Sequence, residues 1–367
     1  MANKKVIISG GGTGGHVYPA IAIANSLRML QPDIDILFVG ANDRMEMEVV
    51  PKAGFRIKGL DVVGLQRKFT WKNLQFPVKL VKSLWIANSI LREFKPDIVV
   101  GVGGYASGPT LEIANRMGIP TVIQEQNSYA GATNKLLANK AQKIFVAFPE
   151  MERFFPATKI YYTGNPIRQD IQQIVQKRAE GYLYYQLNQN KKTILLMGGS
   201  LGAKSLNEAV VANIQLLSGN EDIQVIWQCG KLYFEEYKNT QVAKLHNVVL
   251  LPFLERVDLA YSVADVVICR AGALTISEIC MVQKPSVLVP SPNVAEDHQT
   301  KNAMSLVNSE AAVLVKDENA NEVVQAALAL LYDAELSNKF AFNLKKLARP
   351  DASQIIATEI LKIINDN

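Results

Sequence analysis

The stretch Val6-Ile7-Ile8-Ser9-Gly10-Gly11-Gly12-Thr13-Gly14-Gly15-His16 runs from an apolar strand into a glycine cluster, and a helical pattern from Tyr18 to Leu30 follows. The chain repeats the device at Ile194-Leu195-Leu196-Met197-Gly198-Gly199-Ser200-Leu201-Gly202. Strand, glycine turn and helix in that order open a βαβ unit, so the fold class is α/β with parallel sheets. Two openings predict two α/β domains. The 367-residue length agrees, since one hydrophobic core stops growing at roughly 250 to 300 residues.

Working outward, strands are expected at Val6–Ser9, Ile34–Val39, Asp97–Val100, Thr121–Gln124 and Ile144–Ala147, with helices at Tyr18–Leu30, Trp71–Phe94 and Ser107–Met117. After the turn Gly164-Asn165-Pro166, a Gln-rich helical stretch to about Gln189 reads as the junction. The second domain offers strands at Thr193–Met197, Gln224–Gln228, Val248–Leu251, Val266–Cys269, Ser286–Val289 and Ala312–Val315. The expected domains are 1–165 and 166–350, followed by a helix after Pro350 that either domain could claim. In parallel sheets ligands bind beyond the carboxyl ends of the strands, and two such ends facing one another would make a cleft.

The net charge of +5 suits an anionic ligand or a membrane surface, and no Lys/Arg run of the nucleic-acid type appears, so no nucleic-acid partner is expected. Three cysteines, Cys229, Cys269 and Cys280, have no paired spacing, which supports neither a disulfide framework nor a zinc site. The start of the chain lacks the apolar region of a signal peptide, and no run approaches the ~18 apolar residues of a membrane span. A soluble, cytoplasmic protein is the expectation.

Gly10 to Gly15 satisfies the dinucleotide pattern G-x-G-x-x-G, but the acidic residue that should end the second strand is missing, since that strand ends Phe38-Val39-Gly40-Ala41. A nicotinamide or flavin is therefore disfavoured, leaving a bare turn or a sugar nucleotide. His16 sits near a helix N-terminus, where the neutral imidazole is favoured, and is a candidate general base; the plainer alternative is a histidine that only shapes the loop. Gly198 to Ser205 resembles a phosphate loop, but Ala203 stands where the second glycine belongs, so only a simple diphosphate contact through Ser200 and nearby amides is expected.

In Cys269-Arg270-Ala271-Gly272-Ala273-Leu274-Thr275-Ile276-Ser277-Glu278, small residues admit a ligand to the helix start, and Glu278 can accept from both hydroxyls of a ribose. Its plainer alternative is a solvated carboxylate in the first turn. Arg67–Trp85 interleaves Lys68, Lys72, Lys79 and Lys82 with Phe69, Trp71, Phe76, Leu80, Leu84 and Trp85, which suits either an anionic bilayer or an ordinary amphipathic helix. Asp33-Ile34-Asp35 spells a metal-binding D-x-D, but at the front of a strand it reads as chance, and no metal is expected.

On Gly11-Gly12-Thr13-Gly14-Gly15-His16, Gly103-Gly104-Tyr105-Ala106-Ser107-Gly108-Pro109, Glu125-Gln126-Asn127, Gly164-Asn165-Pro166-Ile167-Arg168, Gly198-Gly199-Ser200 and Arg270 to Glu278, the chain resembles the MurG family of peptidoglycan N-acetylglucosaminyltransferases along essentially its whole length. The resemblance implies the GT-B architecture, with the helix of residues 351–366 returning to the first domain. It implies transfer, with inversion, of N-acetylglucosamine from UDP-GlcNAc to the 4-hydroxyl of the muramoyl sugar of undecaprenyl-pyrophosphoryl lipid I, giving lipid II on the cytoplasmic face of the plasma membrane without a cofactor. It further implies that Thr13, Gly14, Gly15 and Asn127 approach the donor sugar and that Arg168 and Ser200 face the diphosphate. Leu254 would meet uracil through its backbone, Ala273, Leu274, Thr275, Ile276, Ser277 and Glu278 would bind diphosphate and ribose, and Gln299 would touch sugar hydroxyls. His16 would be the base, with Tyr105 and Glu125 near the acceptor. Where some members carry Gln-Gln, this chain has His298-Gln299. The competing expectations are a related transferase acting on a diacylglycerol-type lipid, a UDP-GlcNAc epimerase, and a sugar-nucleotide-binding regulator.

Overall fold

The computed structural model describes residues 3–62, 76–171, 174–199 and 201–366. The chain forms two compact units, one made of Met1–Arg168 with Asp351–Asn367 and the other of Gln169–Pro350.

The first unit holds a seven-stranded sheet of β1 (Lys5–Ser9), β2 (Asp35–Ala41), β3 (Arg56–Leu60), β4 (Ile98–Gly101), β5 (Thr121–Glu125), β6 (Lys143–Val146) and β7 (Ile160–Tyr162), in the order β3-β2-β1-β4-β5-β6-β7. All its pairings are parallel. Strand β1 shows why both faces must be covered. Val6 and Ile8 belong to a core with Val17, Ala20 and Ala24, while Ile7 points into another with Leu91, Leu111 and Ile123. A strand buried on both faces reads as an unbroken apolar run, which is what Val6-Ile7-Ile8 is. Ile356, Ile360 and Ile363 of the helix Ala352–Asp366 join the core of Val6 and Ile8, and each such side chain contributes roughly 1.5–3 kcal/mol on burial.

The second unit holds β8 (Lys192–Met197), β9 (Ile223–Gln228), β10 (Val248–Leu251), β11 (Val266–Cys269), β12 (Ser286–Leu288) and β13 (Val313–Leu314), in the order β10-β9-β8-β11-β12-β13, again all parallel. Each sheet reverses its direction of growth once, between β1 and β4 and between β8 and β11. These are the switch points at which open parallel sheets bind ligands. This is the pair of Rossmann-like domains that defines GT-B proteins.

Two strands were not expected from the sequence. Both are edge strands: Arg-Ile-Lys-Gly-Leu of β3 alternates weakly with charge, and β7 has only three residues, so neither carries an apolar run. The Gln-rich junction is also not one helix. It breaks into 3₁₀ turns at Gln169–Ile171 and Ile174–Lys177 before the short helix Arg178–Tyr184. The helix expected from Trp71 is described from Phe76 to Phe94, and Trp71 lies outside the described residues.

Candidate active site

In the first unit the expected site residues lie at the carboxyl ends of β1, β4 and β5, except Arg168, which follows β7. Here the backbones touch: a Cβ on Gly104 would lie 2.3 Å from the Gly11 carbonyl oxygen, and one on Gly10 would lie 2.6 Å from that of Gly103. Glycine is required because the loops after β1 and β4 meet without room for side chains, at φ of +88° and +84° for Gly103 and Gly104. The helix Gly14–Leu30 starts directly after this contact, capped by Thr13. Thr13 Oγ1 does not cap that helix with its side chain; it lies 3.1 Å from His16 Nδ1. In the tautomer in which Nδ1 donates to that hydroxyl, Nε2 would be the basic atom. The His16 ring edge lies over Gly103, where a Cβ would come within 3.0 Å of Nε2.

A carboxylate absent from the sequence expectations lies beneath this loop. Glu46, 1% exposed, accepts from Gly12 N at 2.9 Å through Oε2 and from Ala41 N at 3.0 Å through Oε1. A Cβ on Gly11 would lie 2.1 Å from Oε1, and one on Gly40 would lie 2.6 Å from Glu46 Cγ. A carboxylate survives such burial only where N–H donors replace water. The consequence is electrostatic. A phosphate seeking the Gly12 amide would meet a negative charge, and unit charges ~4 Å apart repel by about 4 kcal/mol near a protein surface. Within Gly10–Gly15, the stretch that matches a dinucleotide fingerprint, the Gly12 amide is thus already taken by Glu46.

Glu125, at the end of β5, is 2% exposed. Its Oε1 accepts from Asn127 N at 3.0 Å, and its Oε2 accepts from Gly131 N and Asn134 Nδ2, both at 2.9 Å. Burial pushes its carboxyl above the usual range, against the opposing pull of the Asn127 and Gly131 amides. It holds the loop that carries Asn127, which is half-buried. Tyr105 is 56% exposed. Arg168 stacks its guanidinium 5.2 Å from the Tyr18 ring centroid.

In the second unit the helix Ala273–Val282 follows β11, with Gly272 as its cap residue. Leu274 and Thr275 lie in its first turn, where helical geometry supplies no intrahelical acceptor for the amides. Ser277 Oγ donates to Ala273 O at 3.1 Å, and Ile276 is buried in the core. Glu278 stands in the second turn, half-buried, and accepts from Tyr261 Oη at 3.1 Å through Oε2, so it is not the solvated first-turn carboxylate of the plainer alternative. Arg270, at the foot of this loop, is committed to the protein: it donates to Asp317 Oδ1 at 2.6 Å, Ser205 Oγ at 2.8 Å and Val289 O at 3.1 Å. It ties together the segments after β8, β11 and β12.

The glycine loop after β8 is held by Gln228, 3% exposed, which accepts from Gly198 N and donates to Gly199 O, both at 3.0 Å. Ser200 lies outside the described residues. Leu254 is buried in the segment after β10, and Gln299 accepts from Ser291 N at 2.9 Å in the first turn of the helix His298–Val307. The D-x-D reading ends at Asp35, which begins β2 at the edge of the sheet opposite these loops and pairs with Arg56.

The sequence matches the glycosyltransferase family 28 N-terminal domain over residues 6–146 and the glycosyltransferase family 28 C-terminal domain over 193–354. A protein of Bacteroides fragilis is 52% identical over 362 residues, covering 98% of this chain and 95% of its own length. One of Parabacteroides distasonis is 51% identical over 367 residues, covering 100% of both. Each bears the name UDP-N-acetylglucosamine--N-acetylmuramyl-(pentapeptide) pyrophosphoryl-undecaprenol N-acetylglucosamine transferase. Among solved structures, Acinetobacter baumannii MurG superposes with a TM-score of 0.76 at 31% identity, over 98% of this chain and 99% of that one. A UDP-GlcNAc 2-epimerase of Neisseria meningitidis reaches a TM-score of 0.69 at 16% identity, over 98% and 100%, a likeness of fold alone.

Proposed function

The chain belongs to glycosyltransferase family 28, and from that premise we infer that it transfers N-acetylglucosamine from UDP-GlcNAc to N-acetylmuramyl-(pentapeptide) pyrophosphoryl-undecaprenol, the step that makes lipid II for peptidoglycan. The observation that carries this reading is half identity over the full length to proteins of that name. An epimerase shares only the fold. The decisive assay incubates the protein with labelled UDP-GlcNAc, with and without a lipid I analogue. Labelled lipid and UDP release that depend on the analogue are expected. Epimerised donor without acceptor, or transfer to diacylglycerol instead, would overturn the reading.

The division of labour follows from charge. The first-turn amides of Ala273–Val282 suit the diphosphate, Glu278 the ribose hydroxyls, Leu254 the uracil, and Gln299 and Asn127 the sugar, with Ser200 and Arg168 at the diphosphate as the resemblance implies. Inversion by single displacement needs one base and no enzymic nucleophile. His16 takes the proton of the acceptor hydroxyl through Nε2 as that oxygen attacks the anomeric carbon, and UDP leaves with the bonding pair. Thr13 fixes the ring, Gly14 and Gly15 let the loop approach the sugar, and Tyr105 borders the acceptor.

No helix among the described residues is long and apolar enough to cross a membrane. The helix Phe76–Phe94 nevertheless exposes Val78, Val81 and Trp85 along one stripe beside Lys79 and Lys82. That stripe suits the anionic cytoplasmic face of the plasma membrane, where a polyprenyl-linked acceptor resides. Flotation with anionic vesicles is expected to weaken strongly in Trp85→Asp; equal binding would remove the helix from that role.

A further inference from the structure

We propose that Glu46 is a positioning residue for the transfer, holding the base loop in register from beneath. The proposal rests on the reading of His16 as the base. The chain of contacts is short. Glu46 Oε2 accepts from Gly12 N, the next residue is Thr13, and Thr13 Oγ1 meets His16 Nδ1. Its other oxygen is anchored on Ala41 N at the end of β2, so the loop after β1 is tied to the neighbouring strand through one side chain.

The surroundings are shaped to this carboxylate. A Cβ at Gly11 or at Gly40 would collide with it, at 2.1 Å from Oε1 and 2.6 Å from Cγ. Gly12, by contrast, has open space where a Cβ would go, and its N–H is held by the hydrogen bond to Glu46. Both oxygens face N–H donors. Glutamine can satisfy only one of them and turns an N–H toward the other, and aspartate falls short of Gly12 by one methylene while keeping the charge. Either change leaves the helix Ala273–Val282 and its loop, which lie in the other unit, untouched.

A displacement of about 1 Å at a catalytic group costs on the order of 100-fold. Glu46→Gln and Glu46→Asp are therefore expected to lower kcat roughly 10- to 100-fold, with KM for UDP-GlcNAc and calorimetric UDP affinity within about 3-fold of the parent. The separating measurement is a double-mutant cycle: in a His16→Ala background the same changes are expected to cost less than about 3-fold further, because the group they position is gone. Full additivity, or a rise in KM at unchanged kcat, would overturn the proposal. So would loss of UDP binding together with a collapsed melting transition in both variants, which would make Glu46 a folding residue only. If His16→Ala alone retains turnover, the base assignment fails instead, and that arm reads it separately.

Discussion

Glu46 and Gln228 occupy matching places in the two halves: each lies under the glycine loop of the first strand of its sheet, Gln228 reaching it from the end of the adjoining strand and Glu46 from the start of the helix Glu46–Lys52 beyond that strand. The carboxylate accepts twice and adds a negative charge; the amide accepts from Gly198 N, donates to Gly199 O and more weakly to Pro252 O, and adds none. The same backbone device is thereby given opposite electrostatics. On the proposed function, the loop after β1 holds the base and the loop after β8 lies beside the diphosphate, and this difference in charge beneath the two loops suits that division.

The largest effect expected falls on the first loop. His16→Ala should lower kcat by ~10²- to 10⁴-fold, the usual worth of a general base, with UDP affinity largely kept. Steady-state kinetics on a lipid I analogue beside calorimetry for UDP reads both. Near-parental turnover would take the chemistry away from this loop and the comparison would lose one side. Gln228→Glu tests the other side by making the second loop resemble the first. It sets a carboxylate oxygen against Gly199 O and brings a charge toward the diphosphate, so UDP affinity should fall roughly 10- to 100-fold and recover in part at high salt. Unchanged affinity would mean that the charge beneath the loop is irrelevant to the ligand. Glu278→Ala should weaken UDP about 10-fold, the worth of roughly 1.4 kcal/mol, by removing the acceptor for ribose and leaving Tyr261 Oη without it. Calorimetry showing parental affinity would sink the ribose assignment.

What was legible in the sequence follows the same division. Apolar runs buried on both faces and the glycines after them could be read, because periodicity and turn chemistry are local; hence the strand–loop–helix openings at Gly10 and Gly198. The residues that hold those loops could not. In Arg44-Met45-Glu46-Met47-Glu48, two glutamates two apart look alike, yet Glu46 is buried while the Glu48 side chain is 72% exposed and pairs with Lys52. The approach of Gly12, Ala41 and Gly40 distinguishes them. Arg270 stood in the motif that reads as ligand-binding, yet its guanidinium is turned to Asp317, Ser205 and Val289, far away in sequence. Glu125 was expected to line the acceptor region, and it lies inward under the Asn127 loop. In each case the residue type was visible, and the direction of the side chain was set by tertiary contact.

Glu125 gives the smallest and most discriminating test, since two opposed effects meet on it. Burial disfavours its charge, while the Asn127, Gly131 and Asn134 donors favour it, and burial prevails, so its folded pKa lies above the unfolded one. The sign follows: stability from this group is fully present below the ordinary carboxyl range, ~4.5, and is lost as pH rises through the folded pKa. Glu125→Gln has no such titration but leaves donors poorly matched, at about 1–3 kcal/mol for each one orphaned, so it should be the less stable protein at acid pH. Chemical denaturation of both proteins from pH 5 upward should show the gap narrowing as the parent loses its advantage. A gap that stays flat from pH 5 upward instead would mean that the donors win and that Glu125 sits ionised beneath its loop, its pH dependence lying wholly below the ordinary carboxyl range. It would then be a second anionic anchor of the same kind as Glu46, and the contrast between the two halves of the molecule would be sharper still.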